Sequence, residues 1–318
     1  MPSAVSHPAV VSRETRALNP LWLIILVTLL VFANAIQAPF VWEDKELVLE
    51  NRFIRSFSSA KFFFLPSYWR ECHVAPGMAY KPVTMWSYAL DFQLWGLRPW
   101  GYHLTNVALH AANALLLFAL ARGLKLGGSA ALATTLLFAV HPLHTETVDW
   151  VKNRADLLST LFLLAAFVLF VRWRPPDGAS RGALSYWASL AAFALAAMSK
   201  GAGLALCPVL AFYVLLFLPR RDWRTALAAT APFWALAVAY LVNLAFLMQC
   251  RLQLTVMTGA SETGVTGVLG AVAGYLQLLA LPVRLAADRA SAAELSLAPG
   301  TLAALALATA LACLAACR

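Results

Sequence analysis

Two adjacent acidic residues, Glu43 and Asp44, follow the first long apolar run of the sequence within a few positions. Neighbouring carboxylates repel each other, and this repulsion raises the pKa of at least one of them. A carboxylate with a raised pKa beside a membrane surface can act as a general base towards a hydroxyl group. The alternative is an ordinary solvated acidic loop, which the doublet taken alone favours.

A second group of polar residues fills the short connection after the apolar run 127–141. A charged side chain costs about 2.5–3.5 kcal/mol at the bilayer centre on insertion scales, so this group must face water, a partner or a cavity. The spacing of Glu146, Asp149 and Asn153 predicts a shared helical face. Metal binding by His141, His144 and Glu146 competes with a hydrogen-bonded helix cap, and we expect no metal. The members are His141, His144, Glu146, Asp149, Lys152, Asn153, Arg154 and Asp156.

Four polar residues recur within the otherwise apolar run 103–121: His103, Asn106, His110 and Asn113. Their spacing puts all four on one stripe of a helix. Such a stripe either packs against neighbouring helices or lines a polar cavity. The end nearest the acidic doublet carries His103 and Asn106, which favours a cavity. The residues predicted to line it are Asn106, His110, His141, His144 and Glu146.

Two lysines lie at the predicted membrane boundary on the side of the acidic doublet. Lys81 stands in Tyr80-Lys81-Pro82, before a predicted surface helix, and Lys200 occupies a tight turn, Ser199-Lys200-Gly201, between two apolar runs. Either ammonium group suits an anionic phosphate. Contact with lipid headgroups is the alternative for each.

The composition of the 318-residue chain identifies the elements that must position these groups. Hydrophobic residues make up 61% and charged residues 12%, with a mean hydropathy of +0.72, whereas soluble domains carry about 25% charged residues. The apolar residues form runs long enough for spanning helices. The predicted spans are 21–37, 103–121, 127–141, 155–171, 184–198, 201–218, 226–248, 265–283 and 297–317.

These runs predict an all-α polytopic membrane protein, a bundle of about 8–9 transmembrane helices. Residues 1–20 form a cytoplasmic lead, and 21–318 form the transmembrane domain. The polar segment 38–102 is its long first outer loop, with short interfacial helices at 62–65 and 86–95. For 265–283 a span and an interfacial helix both remain open.

The distribution of basic residues orients this topology. If the N-terminus is cytoplasmic, most basic residues of the short connections lie inside, as the positive-inside rule expects. They are Arg13, Arg16, Arg122, Lys125, Arg172, Arg174, Arg181, Arg220, Arg221 and Arg224. The net charge of +9 is therefore mainly topological, and no nucleic-acid partner is expected. A cleaved signal peptide ending near Ala35 is the alternative for the first span. Cys72 and Cys250 are both predicted on the outer side of the membrane, which allows a disulfide between them but does not establish one.

Several ordered motifs together resemble the membrane portion of the transmembrane-and-tetratricopeptide-repeat O-mannosyltransferases and their bacterial relatives, within the GT-C glycosyltransferase superfamily. The resemblance covers roughly residues 20–215, with a weaker similarity near Tyr275 to Asp288. The motifs are Trp42-Glu43-Asp44 with Asn51, Tyr80-Lys81-Pro82, Trp100 to Asn106 with His110, Phe138 to Glu146 with Arg154-Ala155-Asp156, and Ser199-Lys200-Gly201.

The resemblance implies a GT-C-type fold and transfer of a sugar, with mannose expected, from a polyprenyl or dolichyl phosphate to a protein or glycan hydroxyl, with inversion. Asp44, or Glu43, would be the base. The donor phosphate would be bound by Arg154, Lys81, Lys200 and His103. The lipid-linked sugar would be the donor, and no certain cofactor is implied. The site would face the periplasm from a bacterial inner membrane, or the lumen from an endoplasmic reticulum membrane.

The sequence departs from the family pattern at three positions. Glu43-Asp44 stands where two aspartates are common, Lys81 where arginine is usual, and Gly201 where an acid follows the lysine. A non-catalytic protein that binds lipid-linked sugar or acts as a scaffold therefore remains an alternative. A transporter or flippase is the other, although it would require inverted repeats that are not visible.

Overall fold

The computed structural model describes residues 19–71, 80–174, 182–218 and 222–255, together with residues 276, 278 and 279. Every regular element within these ranges is helical, and no β-strand occurs in them. The α-helices are α1 (Pro20–Val31), α2 (Phe57–Ala60), α3 (Pro66–Glu71), α4 (Pro82–Trp95), α5 (Pro99–Gly123), α6 (Gly128–Ala139), α7 (His144–Asp149), α8 (Arg154–Trp173), α9 (Ala183–Ser199), α10 (Leu206–Phe217) and α11 (Trp223–Thr255). Short helical turns lie at Ala33–Gln37, Lys45–Leu49, Arg52–Arg55, Lys61–Phe64, Val151–Asn153 and Gly201–Ala205.

Three of these helical segments are long and apolar enough to cross a membrane: Pro99–Gly123, Val151–Trp173 and Trp223–Leu247. Shorter apolar helices lie at Pro20–Val31, Gly128–Ala139, Ala183–Ser199 and Gly201–Phe217. Each predicted span between residues 21 and 248 coincides with one of these segments, so the all-α membrane architecture is confirmed. The predicted spans 265–283 and 297–317 fall almost entirely outside the described residues, and the number of helices stays a prediction.

Helix α8 contacts both α5 and α9, and small residues bring α8 and α9 close together. Ala166 and Ala196 are fully buried between them. Ser189 Oγ donates to the carbonyl of Ala166 at 2.6 Å, and Ser159 Oγ donates to that of Ala196 at 3.2 Å. Lipid supplies no hydrophobic drive between helices, so close packing and hydrogen bonds of this kind hold the pair together.

The predicted outer segment has a packed aromatic interior of its own. Tyr68 makes edge-to-face contacts with Phe53 and Phe63, each at a ring-centroid distance of 5.1 Å. Trp69 Nε1 donates to the carbonyl of Phe63 at 2.7 Å, and its ring contacts Tyr80. Aromatic pairs in this geometry add about 0.5–1.5 kcal/mol beyond area burial. They therefore hold the segment in one arrangement beside the bundle.

Proline and glycine set the limits of α4 within that segment. Pro82 stands in the first turn, where its missing N–H costs nothing. Gly96 ends the helix with a φ of +61°, a value that glycine adopts readily. The helices at Lys61–Phe64 and Pro82–Trp95 correspond to the short helices that we predicted at 62–65 and 86–95.

The helical face predicted for Glu146, Asp149 and Asn153 is wrong. Helix α7 ends at Asp149, because Trp150 is extended with a ψ of 119°. Asn153 Nδ2 nevertheless reaches back to the carbonyl of Glu146 at 3.2 Å. At the break, the carbonyls of Val148 and Trp150 both accept from Asn106 Nδ2 at 3.2 Å, and that of Trp150 also accepts from the backbone N–H of Asn153 at 3.1 Å.

Gly203 tests the close packing of α9 against the following turn. A Cβ atom on this residue would lie 2.7 Å from the carbonyl carbon of Ala196, so the backbone of α9 would have to move. We expect Gly203→Ala to lower the free energy of unfolding by about 1–3 kcal/mol. Thermal unfolding in detergent measures the change. Gly128→Ala is the control, because its nearest neighbour would be Arg122 Nη1 at 3.8 Å. Equal melting temperatures for the two variants would contradict this packing.

Candidate functional site

The carboxyl group of Asp44 joins the first outer segment to the connection between α7 and α8. Its Oδ2 accepts from the backbone N–H of Val41 at 3.1 Å, and its Oδ1 accepts from that of Lys152 at 2.8 Å. The side chain is 0% exposed. Two backbone donors thus fix the carboxyl group, one from the first outer segment and one from the polar connection before α8.

Burial raises the pKa of Asp44 to about 6. The N–H groups of Val41 and Lys152 oppose this rise, the charge of Glu43 adds to it, and that of Arg154 opposes it. The direction agrees with our prediction for the doublet. The main cause differs, because we expected repulsion between the neighbouring carboxylates, whereas desolvation contributes most.

Glu43 has a different environment from its neighbour. Its Oε1 lies 2.7 Å from Lys152 Nζ, and the two side chains are 38% and 33% exposed. Partial burial raises the pKa of Glu43, but the hydrogen bond and charge of Lys152 outweigh it, so the pKa is lowered overall. The doublet therefore combines an ion-paired carboxylate with a buried carboxyl group whose pKa is raised to about 6. Such a split is the pattern by which adjacent acids acquire separate roles.

Three ammonium groups influence one another electrostatically, and one of them, that of Lys152, contacts Glu43 of the doublet. Burial lowers the pKa of Lys81, the charges of Lys200 and Lys152 lower it further, and the charge of Asp156 opposes them. Lys200 Nζ contacts both carboxylate oxygens of Asp156, at 2.6 and 2.7 Å. The structure thus brings together Lys81 and Lys200, the two lysines predicted to bind phosphate, with a third, Lys152. We call Lys81, Lys152 and Lys200 the lysine cluster.

Backbone contacts between distant elements hold the lysine cluster in place. Thr84 Oγ1, in the first turn of α4, donates to the carbonyl of Ser199 at 3.0 Å. The hydroxyl of Tyr240 on α11 donates to the carbonyl of Tyr80 at 3.0 Å. These bonds fix the residues preceding Lys81 and Lys200. Lys152 and Asp156 belong to the predicted polar connection but had no predicted role, although their position beside Arg154 was a usable signal.

Arg154, which we expected to bind the donor phosphate, is fully buried within the protein. Its exposure is 0%. Nη1 lies 2.6 Å from Asp91 Oδ2, Nε donates to Asn106 Oδ1 at 2.8 Å, and Nη2 donates to the carbonyl of Tyr102 at 2.8 Å. Its guanidinium also lies over the ring of Tyr88. In this arrangement the side chain positions α4, α5 and α8 and presents no surface to a ligand.

The polar stripe of α5 packs against neighbouring segments, whereas we expected Asn106 and His110 to line a cavity. All four members are buried. Besides the bonds of Asn106, His110 Nε2 lies 3.1 Å from the carbonyl of Ala139, and Asn113 Nδ2 donates to that of Leu157 at 3.1 Å. His103, a predicted phosphate ligand, is also buried. Its ring lies beside the backbone of Ala38, Pro39 and Asp149. Asn106, His110 and Asn113 thus contact backbone carbonyls of neighbouring segments, as polar side chains between membrane helices commonly do.

His141, His144 and Glu146 do not form a common lining. His144 packs against the rings of Phe138 and His110 at centroid distances of 4.5 and 4.8 Å, and burial, followed by the charges of His110 and His141, lowers its pKa to about 4. His141 contacts the carbonyl of Leu279 at 3.2 Å. Glu146 is exposed. Across the described ranges, no three His, Cys, Asp or Glu side chains gather as metal ligands. Cys72 lies outside those ranges, so its pairing with Cys250 stays untested.

Residues 76–248 match the family described as dolichyl-phosphate-mannose-protein mannosyltransferase. The chain is 33% identical over 162 residues to protein O-mannosyl-transferase TMTC3 of Homo sapiens, covering 50% of this chain and 18% of that protein. It is 30% identical over 228 residues to protein O-mannosyl-transferase TMTC4 of Mus musculus, covering 64% of this chain and 31% of that protein. The chain thus spans less than a third of either relative. No solved structure shows significant similarity.

The buried ion pair of Arg154 and Asp91 yields a stability prediction. Arg154→Met should lower the free energy of unfolding by about 3–5 kcal/mol, because the carboxylate of Asp91 stays buried without its cation. Adding Asp91→Asn should recover more than half of this loss, since the amide needs no counter-charge and can still contact Thr105, whose Oγ1 lies 2.9 Å from Asp91 Oδ1. Thermal unfolding in detergent of the single and double variants gives the coupling.

The half-exposed pair of Glu43 and Lys152 supplies the control. Lys152→Met should change stability by less than about 1 kcal/mol, as is usual for exposed ion pairs. Arg154→Met with no larger effect than Lys152→Met would show that the buried pair does not stabilise the bundle.

Proposed function

This chain belongs to the dolichyl-phosphate-mannose-protein mannosyltransferase family, and we propose that it is a membrane glycosyltransferase that moves a sugar from a polyprenyl or dolichyl phosphate to a hydroxyl acceptor. The observation that carries the proposal is the position of Asp44: its carboxyl group, with a pKa of about 6, accepts a hydrogen bond from the backbone of Lys152, a member of the lysine cluster. A base that titrates near the working pH and cations for a phosphate are the two groups that such a transfer requires.

Asp44 is the proposed general base. Its carboxylate takes the proton of the acceptor hydroxyl while the acceptor oxygen forms a bond to the anomeric carbon of the donor sugar. The bond from that carbon to the phosphate oxygen breaks, and its electron pair leaves with the lipid phosphate. A single displacement of this kind inverts the anomeric centre. Glu43 suits the role less well, because Lys152 holds its carboxylate and lowers its pKa.

The lysine cluster is the proposed binding site of the departing phosphate. Charge develops on the phosphate as the glycosidic bond breaks, and fixed cations lower the free energy of that state more than that of the bound donor. Burial is the main cause of the lowered pKa of Lys81, and the charges of Lys200 and Lys152 add to it, so a bound phosphate anion would favour the charged form of this side chain. We assign Arg154 a positioning role in place of the ligand role expected from the sequence.

Access to Asp44 requires movement of the chain around it. Since the side chain is 0% exposed, an acceptor hydroxyl reaches it only when the turn at Val41 and Trp42 or the connection at Lys152 shifts. We further propose mannose as the sugar and a protein hydroxyl as the acceptor, because the family description and the names of the relatives specify both. The proposed site faces the periplasm or the lumen, opposite the basic connections.

A non-catalytic protein that binds lipid-linked sugar is the second candidate. The complete burial of Asp44 and of Arg154 supports it, because neither predicted catalytic group is open to solvent. It predicts sugar-donor binding in the wild type without transfer. The variants below separate the two functions.

Removing the proposed base should abolish transfer while the protein remains folded. Asp44→Asn should lower the rate of mannose transfer from radiolabelled polyprenyl-phosphate mannose by about 10²–10⁴-fold in native membranes, because the amide cannot accept the proton. Glu43→Gln should lower it by less. Glu46→Gln, an exposed acid of the same segment, is the control and should retain the wild-type rate. Wild-type transfer by Asp44→Asn at equal protein levels would exclude Asp44 as the base.

The pH dependence of transfer follows from the pKa of Asp44. The base works when deprotonated, so the rate should be constant above pH about 6 and fall about tenfold per unit below it. Glu43→Gln should shift the midpoint to lower pH, since the charge of Glu43 raises the pKa of Asp44. Asp149 also has a pKa raised to about 6 by burial, so Asp149→Asn is the necessary control. If the midpoint of the pH profile disappears in Asp149→Asn and stays unshifted in Glu43→Gln, the loss of rate at low pH belongs to Asp149.

A further inference from the structure

Trp42 combines an exposed indole with an unfavourable backbone conformation. It is 64% exposed, and its φ is +45°. Bulky residues rarely adopt positive φ, and such a conformation persists only where the surrounding structure holds it. Trp42 also immediately precedes Glu43 and Asp44. The strain is thus located beside the proposed base, and its effect is to direct a large aromatic ring outwards.

The residues on both sides of the site hold this ring in place. The N–H of Val41, the residue before Trp42, binds Asp44 Oδ2 at 3.1 Å. The indole packs edge-to-face on Trp150, with a centroid distance of 5.1 Å and an interplanar angle of 75°. Lys152 Nζ lies 4.4 Å from the ring centroid of Trp150 and 2.7 Å from Glu43 Oε1. The exposed indole therefore stands next to a carboxylate and an ammonium group.

We propose that Trp42 is the platform on which the pyranose ring of the donor sugar packs, and that it determines specificity for a hexose over the bare lipid phosphate. The inference rests on the proposed function. The C–H bonds of one pyranose face carry partial positive charge, which the negative face of an aromatic ring attracts. Pockets for such ligands pair an apolar wall with a few polar groups that fix orientation. Trp42 supplies the wall, and Glu43 and Lys152 supply groups for the sugar hydroxyls.

An anchoring role at the membrane interface is the competing interpretation of an exposed tryptophan. An anchor needs no strained backbone, as Trp22 illustrates: it is 67% exposed within the regular helix α1. An anchor also makes no distinction between a lipid phosphate with a sugar and one without. This difference allows a direct test.

The test compares the affinities of two short-chain ligands, polyprenyl-phosphate mannose and sugar-free polyprenyl phosphate, for detergent-purified full-length protein by titration calorimetry. Trp42→Ala should weaken binding of the mannose ligand at least tenfold and leave the sugar-free ligand within twofold. Trp42→Phe should keep most of the affinity, and the control Trp22→Ala should keep all of it. An equal effect of Trp42→Ala on both ligands, or no effect on either, overturns the proposal.

A wild type that binds both ligands equally also overturns it, because no sugar-dependent affinity then exists to assign. Loss of the proposed function is recognised separately, as absence of transfer in native membranes. If the wild type transfers no sugar but prefers the mannose ligand, and Trp42→Ala loses that preference, the platform is present without the reaction.

A stability measurement separates this role from a structural one. Trp42→Gly removes the strain of positive φ, so its melting temperature should equal or exceed that of the wild type, while its preference for the mannose ligand is lost. Lys125→Gly calibrates the gain, because Lys125 also has a positive φ, +68°, and lies far along the chain from the site. A Trp42→Gly protein with a melting temperature well below that of both the wild type and Lys125→Gly would identify the indole as a packing residue and overturn the proposal.

Discussion

A guanidinium group with no exposure to solvent is the constraint on which the rest of this structure depends. Arg154 begins α8 and binds Asp91 of α4 together with Asn106 and Tyr102 of α5. A buried charge without partners costs several kcal/mol, so these three elements must meet at one point for the chain to fold. The same residue fixes the orientation of Asn106, because its Nε binds the side-chain oxygen and leaves the amide nitrogen to donate elsewhere.

The positions of the proposed catalytic groups follow from that arrangement. Asn106 Nδ2 binds the carbonyls of Val148 and Trp150, which sets the path of the chain into Lys152. The N–H of Lys152 then binds Asp44, and its ammonium group binds Glu43. A short series of hydrogen bonds thus connects the interior of the bundle to the two acids. Arg154 can therefore be essential to a reaction without contacting the substrate. Its place in a recognisable motif led us to predict a ligand role, and its burial does not support that role.

Much of this arrangement could be predicted from residue type and spacing. Long apolar runs locate helices because spanning segments must satisfy their backbone groups internally. The doublet Glu43-Asp44 and the lysines Lys81 and Lys200 could be identified because charged groups are rare in such a chain. Long-range pairing could not be predicted. The association of Asp91 with Arg154 joins residues far apart in sequence, and nothing local distinguishes Asp91 from an exposed acid. The extended conformation of Trp150 could not be predicted either, because it depends in part on a hydrogen bond from Asn106, a residue far away in the sequence.

The bond between position 152 and Asp44 is donated by the main chain, whereas the bond to Glu43 is donated by the side chain. Any residue except proline at this position supplies the same N–H, so its side chain can vary without displacing Asp44. Substitutions there would alter the charge beside Glu43 and its effect on Lys81, and would leave the backbone bond to Asp44 in place. One position thus separates two quantities that usually change together, the placement of the buried acid and the electrostatic environment of its neighbour. Divergence within such a chain could therefore adjust the second while the first is inherited unchanged.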